Sequence, residues 1–290
     1  MKTVGMVGIG LMGHGIASNL VRKGWDVALF DHPGNQSLDE LKAAGAQVMD
    51  ELAALASRSD VIILVLTGSP AVEAVLTGQP GLLQGLRPGT LVIDCSTALP
   101  ASTQRMAQAV AAAGGRFLDA PMTRTPKEAA EGRLNLLVGG DAALLETCRP
   151  LLSCFAENIT HVGPVSAGHS MKLLHNFVSL GMVTLLAEAG ACAQRSGVAP
   201  EAFVEVLAKG GGGGIALERL KPFFLAQDPS GLRFSLANAQ KDLGYYQTMA
   251  QDAGAYEAVA SAVLATIEQG VSRTAPGTWV PELVRVLAEG

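Results

Sequence analysis

The chain has 290 residues, of which 49% are hydrophobic and 16% charged, and its formal net charge is −5. That length is a soft prior for two domains, and the apolar content is ample for buried cores. With no basic cluster and only 4% aromatic residues, a nucleic-acid partner is excluded. The longest apolar run, Phe177 to Ala187, is too short for a membrane span. The four cysteines form no CxxC pair and the five histidines have no zinc-type companions. A cytoplasmic protein with no metal and no membrane partner is therefore expected.

Thr3 to Val7 reads as a strand, followed by Gly8-Ile9-Gly10-Leu11-Met12-Gly13 and an amphipathic helix to about Arg22. A second strand, Asp26 to Phe30, ends at Asp31. Strand, glycine turn, helix, strand and acid together are the dinucleotide-binding pattern. Gly8 permits the tight turn, Gly10 lets the backbone approach a pyrophosphate, and Gly13 lets the helix pack on the strand. The helix N-terminus offers N–H groups to phosphate. Asp31 is placed to accept hydrogen bonds from ribose hydroxyls and would repel a 2′-phosphate. No arginine follows it (His32, Pro33, Gly34), so NAD is favoured over NADP.

The alternation continues. Strands are predicted at Gln47–Val48, Asp60–Leu66, Thr90–Ile93, Arg116–Leu118, Asn135–Val138 and Ile159–Val162. Helices are predicted at Glu51–Ser57, Ser69–Leu76 and Pro100–Ala113, and Asp141 caps one running to about Leu152. The stretch from Gly81 to Gly89 reads as a surface connection. This is the pattern of a Rossmann-type, doubly wound, mostly parallel α/β sheet, with ligands outside the carboxyl ends of the strands. Leu66, Ser96-Thr97 and Thr123 fall at such ends.

From Ala167 to about Ser196 a long helix is predicted, largely apolar before Glu188 except for Lys172. Asn176 at i+4 and Ser179 at i+7 share the lysine's face. Burying an ammonium group is costly, so this face is either a reaction site or a lysine snorkelling to water beside satisfied core polars. No strand signal follows. Helices are expected at Pro200–Ala208, Ile215–Leu225, Leu236–Ala253, Tyr256–Gln269 and after Pro281, with Gly210 to Gly214 as a flexible loop or, alternatively, a close approach of backbone to a ligand. The expected domains are 1–163, binding NAD, and 164–290, all-helical and serving substrate and oligomerisation, with a homodimer or homotetramer suggested by the long apolar helix.

These motifs resemble the β-hydroxyacid dehydrogenases, a family that includes 3-hydroxyisobutyrate dehydrogenase and tartronate semialdehyde reductase and is related to 6-phosphogluconate dehydrogenase. The glycine turn with Leu11 and Met12, Asp94 to Thr97 (D-x-S-T), Asp119-Ala120-Pro121, the pair Lys172 and Asn176 (K-x-x-N-N), and Lys241-Asp242-Leu243 carry the resemblance, which covers nearly the whole chain. It implies an NAD-dependent oxidoreductase interconverting a small anionic β-hydroxy acid and its aldehyde. In that role Lys172 is the catalytic acid/base, and Asn176 orients the substrate oxygen or the lysine. Ser96, Thr97 and Thr123 line the nicotinamide and substrate pocket, with Leu66 at the cofactor and Lys241 reaching the same pocket. Thr123-Arg124-Thr125 stands where the family has Ser-Gly-Gly, and His175 replaces the first asparagine of the lysine motif. Arg124, with Ser179, resembles the sulfolactaldehyde-type reductases, which implies an anion anchor at Arg124 for a carboxylate or sulfonate head. Two other readings are an imine-reductase-like enzyme, disfavoured by Lys172, and a non-catalytic dinucleotide sensor.

Overall fold

The computed structural model describes residues 3–289. They divide into two compact units between Lys172 and Leu173, and the division falls inside the long helix.

In the first unit, strand and helix alternate from the start. β1 (Thr3–Val7), α1 (Leu11–Arg22), β2 (Asp26–Phe30), α2 (Asp39–Ala43), β3 (Gln47–Met49), α3 (Leu52–Arg58), β4 (Val61–Leu64), α4 (Ser69–Thr77), β5 (Leu91–Asp94), α5 (Pro100–Ala112) and β6 (Arg116–Asp119) form the classical half of the sheet. The chain then adds β7 (Met122–Thr123), α6 (Pro126–Glu131), β8 (Leu134–Gly139), α7 (Ala142–Leu152) and β9 (Ala156–Gly163). Among the described residues the strands form one sheet in the order β3-β2-β1-β4-β5-β6-β8-β7, with β9 on β8. Pairing is parallel from β3 to β6, with Val4 opposite both Val27 and Val61. β8 runs antiparallel to β6 and β7, and β9 is parallel to β8.

A parallel sheet is covered on both faces, so its strands read as continuous apolar runs. Val61, Ile62, Ile63 and Leu64 are all fully buried. Successive residues point to opposite faces. Val61 and Ile63 join Met6, Leu29, Ile93 and Leu118 in one core, whereas Ile62 and Leu64 join Val7, Leu55, Val92 and Phe117 in the other. The stretch expected as a surface connection after α4 contains a short 3₁₀ turn, Leu82–Gln84, that buries Leu82 in the second core.

α8 spans Ala167–Arg195 and is about 43 Å long at 1.5 Å per residue. By length and composition it could cross a bilayer, with a mean hydropathy of 1.4. In the second unit one of its faces carries Leu180, Val183, Leu186 and Ala187 into a core shared with α9 (Pro200–Lys209), α10 (Ile215–Ala226), α11 (Leu236–Asp252), α12 (Ala258–Ser272) and α13 (Leu283–Glu289). Leu217, Leu220, Phe223, Leu243, Ile267 and Leu283 fill that core. The five glycines connect α9 to α10, as expected from their lack of any periodic apolar pattern.

Candidate active site

The glycine turn joins β1 to α1. Gly8 has φ +93°, a conformation an L side chain rarely adopts, and a Cβ there would lie 2.2 Å from the Val65 carbonyl oxygen. A Cβ on Gly13 would meet the Gly8 carbonyl oxygen at 1.9 Å, so α1 presses directly on the turn. Gly10 differs: nothing lies within 4 Å of a Cβ built there. The open side of the turn thus coincides with the start of α1, where backbone N–H groups are available to an anion. Leu11 is exposed, and Met12 packs against the first core. Asn35 braces the turn: its Oδ1 accepts from the Ile9 amide at 3.0 Å and its Nδ2 donates to the Phe30 carbonyl at 2.9 Å. Asp31, at the end of β2, is exposed. These features fit a dinucleotide, with the pyrophosphate at Gly10 and α1 and a ribose at Asp31.

The remaining strand ends of the first unit are tied to one another. Ser96 is buried; its Oγ accepts from the Leu66 amide at 2.9 Å and its own amide donates to Asp94 Oδ1 at 2.9 Å. Thr97 is half-buried next to it. Thr123 is buried, and its Oγ1 accepts from Asn135 Nδ2 at 3.0 Å. Ser96 and Thr123, two of the side chains expected to line the substrate pocket, therefore already have intramolecular partners, and each hydroxyl reaches a ligand only through its remaining hydrogen-bonding capacity.

Arg124 follows β7 with a positive φ of 82°. Its Nη1 donates to the Glu157 carboxylate on β9 and to the Arg133 carbonyl. The guanidinium expected as an anion anchor is thus paired within the chain, and its charge lowers the Glu157 carboxyl below the ordinary carboxylate range through hydrogen bonding and Coulomb attraction. Sequence could not give this pairing, because Glu157 lies in a strand that was expected to begin at Ile159.

Lys172 is half-buried on α8. A turn earlier, His169 is fully buried among Thr103, Ser96, Asp94 and Asp119. None of His169, Thr103 or Asp119 was singled out from sequence as a site residue. The available signal was the polar pair Asp119 and His169 inside apolar runs.

In the second unit, Asn176 Nδ2 donates to Asp242 Oδ2 at 2.6 Å, and Asn176 Oδ1 lies 3.0 Å from His175 Nδ1. Asp242 is buried on α11, and Lys241 Nζ lies 2.9 Å from its Oδ1. That oxygen makes no directed hydrogen bond, so the Lys241 contact is ionic. Lys241 also stands 5.3 Å from the centroid of the Tyr245 ring. Asp242 thus joins Asn176 and Lys241, which were expected at the site separately. Ser179 is half-buried on α8, and His175 is exposed on it.

A Gly-rich turn between β1 and α1, open at Gly10, on a doubly wound sheet ending its second strand in Asp31, defines a dinucleotide-binding oxidoreductase fold. Residues 3–163 match the family described as the NAD binding domain of 6-phosphogluconate dehydrogenase, and residues 166–287 match the family described as NAD-binding of NADP-dependent 3-hydroxyisobutyrate dehydrogenase. The chain is 33% identical over 271 residues to an NAD-dependent L-serine dehydrogenase of Pseudomonas aeruginosa, covering 93% of this chain and 89% of that one. It is 33% identical over 242 residues to 2-(hydroxymethyl)glutarate dehydrogenase of Eubacterium barkeri, covering 83% and 80%. A solved structure of Mycobacterium tuberculosis 3-hydroxyisobutyrate dehydrogenase with L-serine superposes with a TM-score of 0.88 at 27% identity, covering 99% of each chain. An imine reductase from Myxococcus stipitatus, at 20% identity and a TM-score of 0.67, shares the fold. The chain belongs to the β-hydroxyacid dehydrogenase family and is an NAD-binding oxidoreductase acting on CH–OH groups.

Proposed function

We propose that the protein interconverts a small anionic β-hydroxy acid and its aldehyde, with Lys172 as the proton-transferring group. The observation that carries this reading is the placement of Lys172 on α8, a turn after a buried polar cluster at the strand ends and a turn before Asn176 on the same helix. When bound, NAD supplies the hydride acceptor for oxidation, and its reduced form the donor for reduction. Lys172 takes the hydroxyl proton in the first direction and protonates the carbonyl oxygen in the second. Asn176, held by Asp242, keeps one amide hydrogen to offer the substrate oxygen. Lys241 serves the cofactor. Asp31 favours NAD over NADP, because its carboxylate accepts from ribose hydroxyls and repels a 2′-phosphate. Ser96, Thr123 and Ser179 contribute hydroxyls to substrate, and Leu66 and Thr97 contact the cofactor.

Arg124 spends only Nη1 on the Glu157 carboxylate and the Arg133 carbonyl, so its Nε and Nη2 hydrogens are the donors it offers an anionic substrate. Unchanged activity of Arg124→Gly on every anionic aldehyde would restrict this arginine to its Glu157 contact. The exposed apolar row Leu174, Val178, Met182 and Leu185 along α8 supports self-association as a dimer or tetramer. A monomeric mass by light scattering would overturn that part.

The decisive experiment measures NADH oxidation with succinic, methylmalonate and tartronate semialdehydes, sulfolactaldehyde and glyoxylate, with NADPH in parallel. Lys172→Ala is expected to abolish turnover on any active member and to retain NADH affinity. Wild-type rates in that variant would sink the mechanism, and an absence of turnover across the panel would place the substrate outside these five aldehydes.

A further inference from the structure

We propose that His169 is a positioning residue for Lys172: its Nε2–H, donated to the Ser96 carbonyl, locks the first turns of α8 to the carboxyl end of β5. The inference rests on the reading of Lys172 given above.

His169 has 0% exposure, and every polar atom it brings is used. Nε2 lies 3.1 Å from the Ser96 carbonyl oxygen, which can only accept, so this nitrogen carries the proton. Nδ1 lies 2.7 Å from Thr103 Oγ1 on α5. The His169 amide donates to Asp119 Oδ2 at 2.9 Å, and the Ser166 amide donates to Asp119 Oδ1 at 2.8 Å. Ser166 precedes α8 with φ +77°. The carboxylate of Asp119, at the end of β6, thus occupies the N-terminus of α8 and satisfies two amides that a helix start leaves without partners.

The contact is also close. A Cβ on Gly168 would come 2.4 Å from the Leu137 carbonyl oxygen and 2.7 Å from that of Asp119, so only glycine lets α8 approach the sheet this far. Two buried carboxylates flank the imidazole: Asp94 Oδ2 lies 3.9 Å from Nε2, with no hydrogen-bond partner, and Asp119 Oδ2 lies 3.8 Å from Nδ1.

The Ser96 carbonyl is a fixed reference because Ser96 is already held at two other atoms, its amide on Asp94 and its hydroxyl on the Leu66 amide. The imidazole transfers that reference to α8. Lys172 lies three residues on, on the same helix face. A proton-transferring group must be held to within about 0.5 Å of its working place, and a rigid supporting shell is what holds it. A helix anchored only by apolar packing can slide or rotate slightly, whereas one pinned by the Nε2 bond cannot do so without losing a buried hydrogen bond.

The test compares His169→Leu, His169→Gln and His169→Asn with Lys172→Ala, reading kcat, KM and the NADH Kd on the aldehyde that the panel identifies. A glutamine can place an amide N–H near the Nε2 position, whereas an asparagine is too short and reaches only toward Nδ1. His169→Leu is expected to lower kcat by about 10- to 100-fold, with the NADH Kd changed by less than about twofold, as a misplacement of about 1 Å would do. His169→Gln should recover most of that loss, and His169→Asn should not. If the leucine variant does not fold, the glutamine and asparagine variants decide by their kcat ratio. Equal rates in those two, or wild-type kcat in a folded His169→Leu, would overturn the assignment. An inactive Lys172→Ala beside a fully active His169→Leu removes this inference alone; an active Lys172→Ala removes the reading beneath it.

Discussion

Asp242 is buried and carries two partners, a hydrogen bond from Asn176 and an ionic contact with Lys241. Removing one partner of a buried hydrogen bond costs the desolvation of the group left behind. Asp242→Ala is therefore expected to lower stability by about 1–3 kcal/mol, because the Asn176 amide loses its acceptor. Chemical denaturation measures this, and an unchanged midpoint and slope would show that the amide finds another partner. The same variant leaves Asn176 without its orienting carboxylate, so kcat should fall while the NADH-binding unit stays folded. At this scale the motif residues were legible from sequence, since their types and spacing survive without coordinates. Their partners were not. Nothing local in the chain links Arg124 to Glu157 or Asn176 to Asp242, and the Arg124 pairing changes what that arginine can offer a ligand.

The most informative pair of elements is α1 and α6. A Cβ on Gly15 of α1 would lie 2.7 Å from the Ala129 carbonyl carbon and the Ala130 amide nitrogen, and Asn19 Nδ2 donates to the Ala129 carbonyl at 2.8 Å. Gly15→Val is expected to destabilise the protein by about 1–3 kcal/mol by forcing α6 away. It should also weaken NADH binding, because α1 supplies the phosphate-facing turn; isothermal titration would read this, and wild-type affinity would separate α6 from the cofactor. α6 begins with a capping box in which Thr125 and Glu128 satisfy each other's backbone. The Thr125 hydroxyl holds the Glu128 carboxyl below its ordinary range against the opposing effect of burial, and backbone hydrogen bonds and the Arg133 charge add to the lowering. The folded pKa lies below the unfolded one, so this stabilisation is complete above the ordinary glutamate value and is lost as pH falls through the folded value. Thr125→Ala should cost about 0.5–2 kcal/mol at neutral pH, and less in acid. A pH series of thermal melts measures it, and a pH-independent difference would refute the linkage. The long periodic helices and buried strands could be read from sequence because apolar period and capping residues mark them. α2, α6 and β7 could not, since each is too short for a period and is held by packing on α1 or by pairing with β8.

At the level of the molecule, each unit encloses its own apolar residues, two cores about the sheet in the first and one in the second, and the glycine turn belongs to the first. NADH at about one hundred times its Kd should stabilise the folded protein by about 2.7 kcal/mol, since it binds only the native turn. Calorimetry with and without NADH tests this; a melting temperature insensitive to NADH would contradict dinucleotide binding. The carboxylate of Asp119 holding the Ser166 and His169 amides has a further consequence, for the order in which the chain can assemble. The longest helix does not carry its own beginning: the group that completes its first turn lies at the end of a strand made 47 and 50 residues earlier. Until β6 is in register on β5, that turn has no cap, and its amides exchange with water. Hydrogen exchange at Ser166 and His169 therefore times the closing of the sheet, so two helix amides become the clock for a strand.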